Sequence, residues 1–267
     1  METLILISLF ILGTILGSGL NALAWRYEKG LSWGRGRSRC PHCGQILSWW
    51  ELLPLLSFIL LRRRCSQCHV HIDWQYPLVE LAAGGLLVLS YITLGFSLGV
   101  IVTVIASIIL LFIYIYDART MLIPNAAVWS FNILAFISVF LNQRNSFTFM
   151  ENIFVLPSWW AVAAGPLATL PLFLIWFLSR GKVMGFGDVK LTLGIGWLLG
   201  IAGGLSAVTY AFWVGAVVSL GILSAQRLWK RSSPEGSKSL TMKSAVPFGP
   251  FLILGWLIAL FSGITLF

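Results

Sequence analysis

Long apolar runs separated by short polar breaks set the pattern of this chain. The runs fall at about 4 to 25, 77 to 95, 98 to 116, 125 to 141, 158 to 179, 189 to 224 and 246 to 266. A bilayer core about 30 Å thick needs roughly 20 apolar residues per helix, so the pattern predicts membrane helices rather than buried helices of a soluble core. One run is too long for a single crossing. From Leu191 to Ala225 no basic residue intervenes, and about 35 residues at ~1.5 Å each exceed one tilted span. Gly200-Ile201-Ala202-Gly203-Gly204 supplies the natural break, which brings the expected number of spans to about eight. Another apolar stretch, Trp49 to Leu61, is too short to cross and is interrupted by Glu51 and Pro54.

Composition agrees with this reading: 58% of the 267 residues are hydrophobic and 10% charged. In a soluble protein a net charge of +9 would point to nucleic acid or acidic partners, but in a membrane protein basic residues first report topology. The partners expected are therefore membrane lipids, with no nucleic acid. Eight spans with the N-terminus outside place every one of the 18 Lys and Arg residues except Arg144 on the inner side. The first run follows Met1-Glu2-Thr3, which lacks the positive flank of a secretory signal, so it is expected to be a retained span. The expected fold is an all-α membrane protein. Residues 1–25 form its first transmembrane helix, 26–76 a cytoplasmic loop domain and 77–267 a transmembrane core.

All four cysteines fall in that loop, as Cys40-Pro41-His42-Cys43 and Cys65-Ser66-Gln67-Cys68. Two C-x2-C pairs suit a tetrahedral Zn²⁺ held by four thiolates, and such a tie would stabilise a loop too small to build a core of its own. The alternatives are two disulfides or free thiols; a loop on the reducing inner side favours zinc. His42, His69 and His71 are candidate replacements for a thiolate ligand, but four cysteines already complete a structural shell. Residues 26–76 are thus expected to be a small zinc-tied domain.

The chain has three aspartates, Asp73, Asp117 and Asp188. The last two are expected at inner ends of membrane helices, in Ile113-Tyr114-Ile115-Tyr116-Asp117 and in Gly185-Phe186-Gly187-Asp188-Val189-Lys190. Ionisable residues there are costly without a purpose. Two carboxyl groups at one depth suit aspartyl proteolysis, in which one ionised group activates a water and its protonated partner supports the carbonyl oxygen. Gly185 and Gly187, lacking Cβ, let the backbone turn freely before the helix and lie close to an extended peptide, so they are candidates for positioning substrate. The bland alternative for each aspartate is a helix cap or a partner for Arg119 or Lys190. Glu80, near the start of the second span, is expected to be a structural helix-end acid.

These residues resemble the type IV prepilin peptidase family, within the wider group of Gly-x-Gly-Asp membrane aspartyl proteases. Gly17-Ser18-Gly19-Leu20-Asn21, Arg39-Cys40-Pro41-His42-Cys43-Gly44, Pro54-Leu55-Leu56-Ser57 and Tyr76-Pro77-Leu78-Val79-Glu80 follow the family's order. Asp117 with Ile123-Pro124-Asn125, then Gly185 to Lys190, then Pro247-Phe248-Gly249-Pro250 continue it. Asn125 departs from the family, which often has an acid there.

The resemblance implies an endopeptidase of the bacterial inner membrane that uses Asp117 and Asp188 to remove the leader from type IV prepilins or pseudopilins at the cytoplasmic face. It also implies N-methylation of the new N-terminus with S-adenosylmethionine, although the sequence has no glycine-rich nucleotide fingerprint. Rival readings are a presenilin-like or signal-peptide-peptidase-like protease, a proton-coupled transporter using the two acids as a relay, and a zinc-anchored scaffold.

Overall fold

The computed structural model describes residues 2–32, 36–141, 156–230 and 247–266. Arg35, Arg144, Arg231, Lys238 and Lys243, which the charge count uses, lie outside them. Eight α-helices follow in order: α1 (Glu2–Glu28), α2 (Leu56–Leu60), α3 (Gln75–Leu94), α4 (Leu98–Thr120), α5 (Asn125–Val139), α6 (Trp159–Leu178), α7 (Phe186–Lys230) and α8 (Gly249–Ser262). No β-strand forms among the described residues, where isolated bridges include Arg39 with Ile46 and Arg64 with His71. Helices α1, α3, α4, α6 and α7 are long and apolar enough to cross a membrane, and α5 and α8 are shorter apolar helices.

Helix α7 is interrupted at Gly200, whose φ of 77° and ψ of 179° lie in a region open in practice only to glycine. The break falls within the predicted glycine cluster and leaves rods of residues 186–199 and 201–230. Counting both, the described residues hold eight apolar rods, of which those in α5 and α8 are short. Two of them end sooner than the apolar runs. At 15 and 14 residues, α5 and α8 are shorter than the runs 125 to 141 and 246 to 266. After left-handed Gly263 (φ 63°) the chain leaves α8 and is tied to α7, where the Leu266 N–H donates to Ser206 Oγ at 2.8 Å.

The described residues divide into two compact units. The first contains Met1–Tyr116 and is organised by α1 against α3. Their crossing is backbone-close: a Cβ added to Gly13 would lie 2.6 Å from both Ala83 O and Gly84 Cα, and one added to Gly17 2.9 Å from Glu80 Cα. Small residues permit this approach, and lipid offers no hydrophobic drive of its own to hold helices together. Leu20, Ala24, Val79, Ala83, Leu111 and Ile115 fill the core from α1, α3 and α4. Buried Asn21 donates from Nδ2 to Tyr76 O at 3.3 Å, fixing the start of α3 beside α1.

The second unit holds Asp117–Leu141 and the described residues from 156 on, with α7 packed against α5, α6 and α8. Pro166, inside α6, cannot donate to Val162 O one turn earlier. Trp197 of α7 supplies the missing donor, its Nε1–H reaching Val162 O at 2.9 Å, and Gly165 leaves room for that indole. A proline that would expose a carbonyl to lipid thus becomes a link between two helices. Asn132 of α5 does similar work, donating from Nδ2 to Lys190 O at 3.1 Å.

Candidate active site and metal centre

Asp117 lies in the last turn of α4 and Asp188 in the first turn of α7. Both are buried, with exposures of 3% and 7%, and both belong to the second unit. The segment after α4 brings their surroundings together. Met121 takes a left-handed φ of 55°, its N–H donates to Asp117 O at 2.8 Å, and the chain then runs through Ile123 and Pro124 into α5. Ile123 wedges against both arms of the site. Its Cβ is 3.0 Å from where a Cβ on Gly187 would stand, and its Cδ1 is 3.4 Å from the same point on Gly249. Gly249 opens α8 and faces the first aspartate so closely that its own Cβ would meet Asp117 Oδ2 at 2.5 Å. Its backbone amide also approaches that carboxylate.

The two carboxyl groups are near enough for their charges to act directly on each other. Asp117 Oδ2 and Asp188 Oδ1 are each buried, without a hydrogen-bond partner among the described residues. Buried polar atoms are seldom left so, and a group that exchanges protons with a substrate is one reason for an exception. Lys190 is engaged elsewhere: its Nζ donates to Asn125 Oδ1 at 2.9 Å and stands 5.0 Å from the Phe186 ring centroid. The departure at Asn125 therefore has a structural partner, a neutral acceptor for Lys190.

Of the two glycines beside Asp188, Gly187 acts by size, in contrast to the free turning expected of both. Neither has positive φ, and Phe186 is already helical. Gly187 cannot gain a Cβ without displacing Ile123, whereas a Cβ on Gly185 would make only an ordinary contact, 3.7 Å from Asp188 Oδ2. Sequence reading missed Ile123 and Gly249 as parts of the site. The signal for both was their place in the family-like strings Ile123-Pro124-Asn125 and Pro247-Phe248-Gly249-Pro250, to which no role was attached.

Within the first unit the four cysteines converge, with all their Sγ atoms within 4.8 Å of one another. Cys40 Sγ and Cys68 Sγ are 3.9 Å apart, close to the ~3.8 Å edge of a tetrahedron with metal–sulfur bonds of ~2.3 Å and far beyond a disulfide. All four are free. The cluster can therefore hold a metal ion.

Each pair sits in the same turn. Cys40 N–H donates to Gln45 O and Gly44 N–H to Cys40 O, while Cys65 N–H donates to Val70 O and His69 N–H to Cys65 O. Left-handed Gly44 (φ 73°) in the first turn is matched by left-handed His69 (φ 55°) in the second, so His69 serves the turn. The thiols differ as acids. Backbone amides of Cys68 and Gln67 hold Cys65 down at about 7. Cys68, despite the Val70 amide, is pushed up to about 11 by desolvation and the neighbouring thiols.

Buried Glu51 braces the second turn. Its Oε1 accepts from Ser66 Oγ and its Oε2 from the Ser48 N–H, both at 2.6 Å. Although burial alone would raise it, the bonds from Ser66 and Ser48 hold this carboxyl below its ordinary value. Glu80 of α3 accepts the Leu55 N–H at 2.8 Å.

A protein of Bacillus subtilis (strain 168) named Prepilin leader peptidase/N-methyltransferase is 32% identical over 256 residues, which cover 96% of this chain and 93% of the relative. The chain belongs to the type IV leader peptidase family. Family models agree: the Bacterial Peptidase A24 N-terminal domain matches residues 11–94 and the Type IV leader peptidase family matches residues 104–220. The first match contains the four cysteines, Glu51 and Glu80; the second contains both aspartates. Proteins with the same name from Stutzerimonas stutzeri (31% identical; 84% of this chain, 72% of the relative) and Vibrio cholerae serotype O1 (28%; 98% of each) are similar along most of their length. No solved structure matches. Membership of this peptidase family favours the leader-peptidase reading over the presenilin-like and transporter readings.

Proposed function

We propose that the chain is a membrane aspartyl endopeptidase that cleaves the leader from type IV prepilins or pseudopilins, with Asp117 and Asp188 as its catalytic pair. The observation that carries this reading is the pair itself: two buried acids from separate helices, mutually within electrostatic reach, each with a carboxyl oxygen that no group among the described residues satisfies. One ionised carboxylate takes a proton from water as the water oxygen attacks the scissile carbonyl carbon. The protonated partner donates to the carbonyl oxygen, and collapse of the tetrahedral species with proton transfer to nitrogen breaks the C–N bond. Gly185 leaves space beside Asp188 for an extended backbone, Gly187 positions that helix start by letting Ile123 close against it, and the Gly249 amide steadies Asp117.

The cysteine cluster is assigned a structural Zn²⁺ held by Cys40, Cys43, Cys65 and Cys68. Four thiolates close the shell and leave no position for a reactive water, so the ion's part is to fold residues 26–76 apart from the protease core of 77–267. By the distribution of basic residues, we place the protein in the bacterial inner membrane with its N-terminus outside and the loop and acids on the cytoplasmic side. The relatives' names carry an N-methyltransferase, and we extend that second activity, using S-adenosylmethionine, to this chain.

Full-length protein in lipid nanodiscs, mixed with a prepilin, tests the reading by product mass. Asp117→Asn and Asp188→Asn are each expected to reduce cleavage by about 10³-fold or more with metal content and helicity unchanged. Cleavage at near wild-type rate in either variant would remove the pair from the chemistry. Addition of 14 mass units to the mature product, only when S-adenosylmethionine is supplied, checks the second activity.

A further inference from the structure

The segment from Trp49 to Leu61, too short to cross a membrane, nevertheless presents its apolar side chains outward. Trp49 is 77% exposed, Leu56 57%, Ile59 69% and Leu60 69%, with Trp74 55% exposed beside them. Such a surface would be a liability in water. Its depth in the first unit is fixed by two contacts to α3. The Leu55 N–H donates to Glu80, a residue of the second turn of α3, and the Phe58 ring lies 5.2 Å from that of Trp74, the residue immediately before the helix. The segment therefore runs alongside the first two turns of a membrane span, where an outward-facing surface meets the headgroup and acyl boundary.

Charge completes the fit. Helix α2 is followed, after Leu61, by Arg62-Arg63-Arg64, with Arg62 and Arg64 exposed. Arg62 and Arg63 hold left-handed φ values of 48° and 60°. Arg63 is fastened by its Nε–H to Ile72 O at 3.1 Å, and its guanidinium lies 5.3 Å from the Trp74 ring centroid. A ridge of Trp, Leu and Ile bordered by one fastened and two exposed arginines matches an anionic lipid surface, with rings and aliphatic chains below the headgroups and guanidinium groups at the phosphates.

We propose that residues 49–64 with Trp74 form an interfacial shelf that anchors the cysteine loop in the headgroup region of an anionic leaflet. Glu80 is its positioning strut. The shelf requires only that α1 and α3 span the membrane, so its failure would leave the peptidase reading intact.

The test uses full-length protein in nanodiscs of phosphatidylcholine with or without phosphatidylglycerol. A benzoylphenylalanine photocrosslinker in place of Ile59 is expected to yield phospholipid adducts, and one at exposed Arg37 none. Adducts at Ile59 only to an added prepilin, to a second copy of the chain, or to neither lipid nor protein would overturn the proposal. Trypsin cleavage at Arg62 to Arg64 is expected to be about tenfold slower in the anionic discs, since each arginine near such a surface contributes about a fivefold preference. Ile59→Asp with Leu60→Asp should abolish that protection while the metal is retained. Equal trypsin rates in both lipids for the wild type would count against the shelf, and should the double variant misfold, the crosslinks decide.

Discussion

The cysteine centre and the aspartate rim are assembled in opposite ways. Each cysteine pair is shaped by a turn only a few residues long, with a bond from a backbone N–H to the first cysteine's carbonyl and one left-handed residue, Gly44 or His69. Glu51 and Ser66 then brace the second turn from nearby in the chain. The rim has no such local scaffold. Asp117, Ile123, Gly187 and Gly249 come from α4, the connection to α5, α7 and the start of α8, and they meet because small residues leave room at the contact. A centre made from local turns can gain its stability from a bound ion, whereas a rim made by packing depends on the absence of single methyl groups.

That contrast is open to direct attack. The largest effect is expected from Cys65→Ser. Structural zinc contributes an apparent ~10–16 kcal/mol in small domains, so metal content should fall from roughly one ion per chain toward zero. Limited proteolysis should then cut within 40–68 while α5 to α8 stay protected. Loss of both regions together would erase the distinction.

Next in size is Gly249→Ala. Its new Cβ would meet Asp117 Oδ2 at 2.5 Å, and displacing that carboxylate should reduce prepilin cleavage by about 10²-fold with metal content intact. Unchanged cleavage would mean the rim does not require this close approach.

A smaller effect belongs to Glu51. Its folded pKa lies below the ordinary 4.5, so its hydrogen bonds stabilise the loop above that value and lose their contribution as pH falls through the lower folded value. Glu51→Ala should cost the loop about 1–3 kcal/mol at neutral pH. The difference between wild type and variant, measured by denaturant titration of metal release, should shrink on acidification below pH 4.5. A difference that grew instead would reverse the assignment.

The smallest effect is expected from His69→Gly. It relieves a left-handed non-glycine residue and should stabilise the second turn by about 1 kcal/mol, read in the same titration.

Sequence made the local features plain and the packed ones obscure. Apolar runs located the spans because lipid demands long apolar helices, and the break in α7 fell at Gly200 because few other residues can adopt that backbone. The cysteines were legible because their spacing is itself the turn. Both aspartates stood out as acids next to apolar runs. Ile123 and Gly249 did not, since hydrophobic pattern says which face of a helix is buried but not which residue it meets. Neither glycine beside Asp188 takes the positive φ expected of it, and for Gly187 the lack of a Cβ matters instead by admitting Ile123. The apolar stretch at Trp49 was recognised as too short to cross, yet its place beside the start of α3 comes from the Leu55–Glu80 bond and the Phe58–Trp74 contact, which a hydrophobic pattern does not carry.

The central claim is that Asp117 and Asp188 act as one unit on the scissile bond. A double-mutant cycle on prepilin cleavage, with Asp117→Asn, Asp188→Asn and both together in nanodiscs, tests it most directly. The account predicts that each single variant already falls to the residual rate of the double variant. Losses that simply multiply would show two acids working independently and would contradict it.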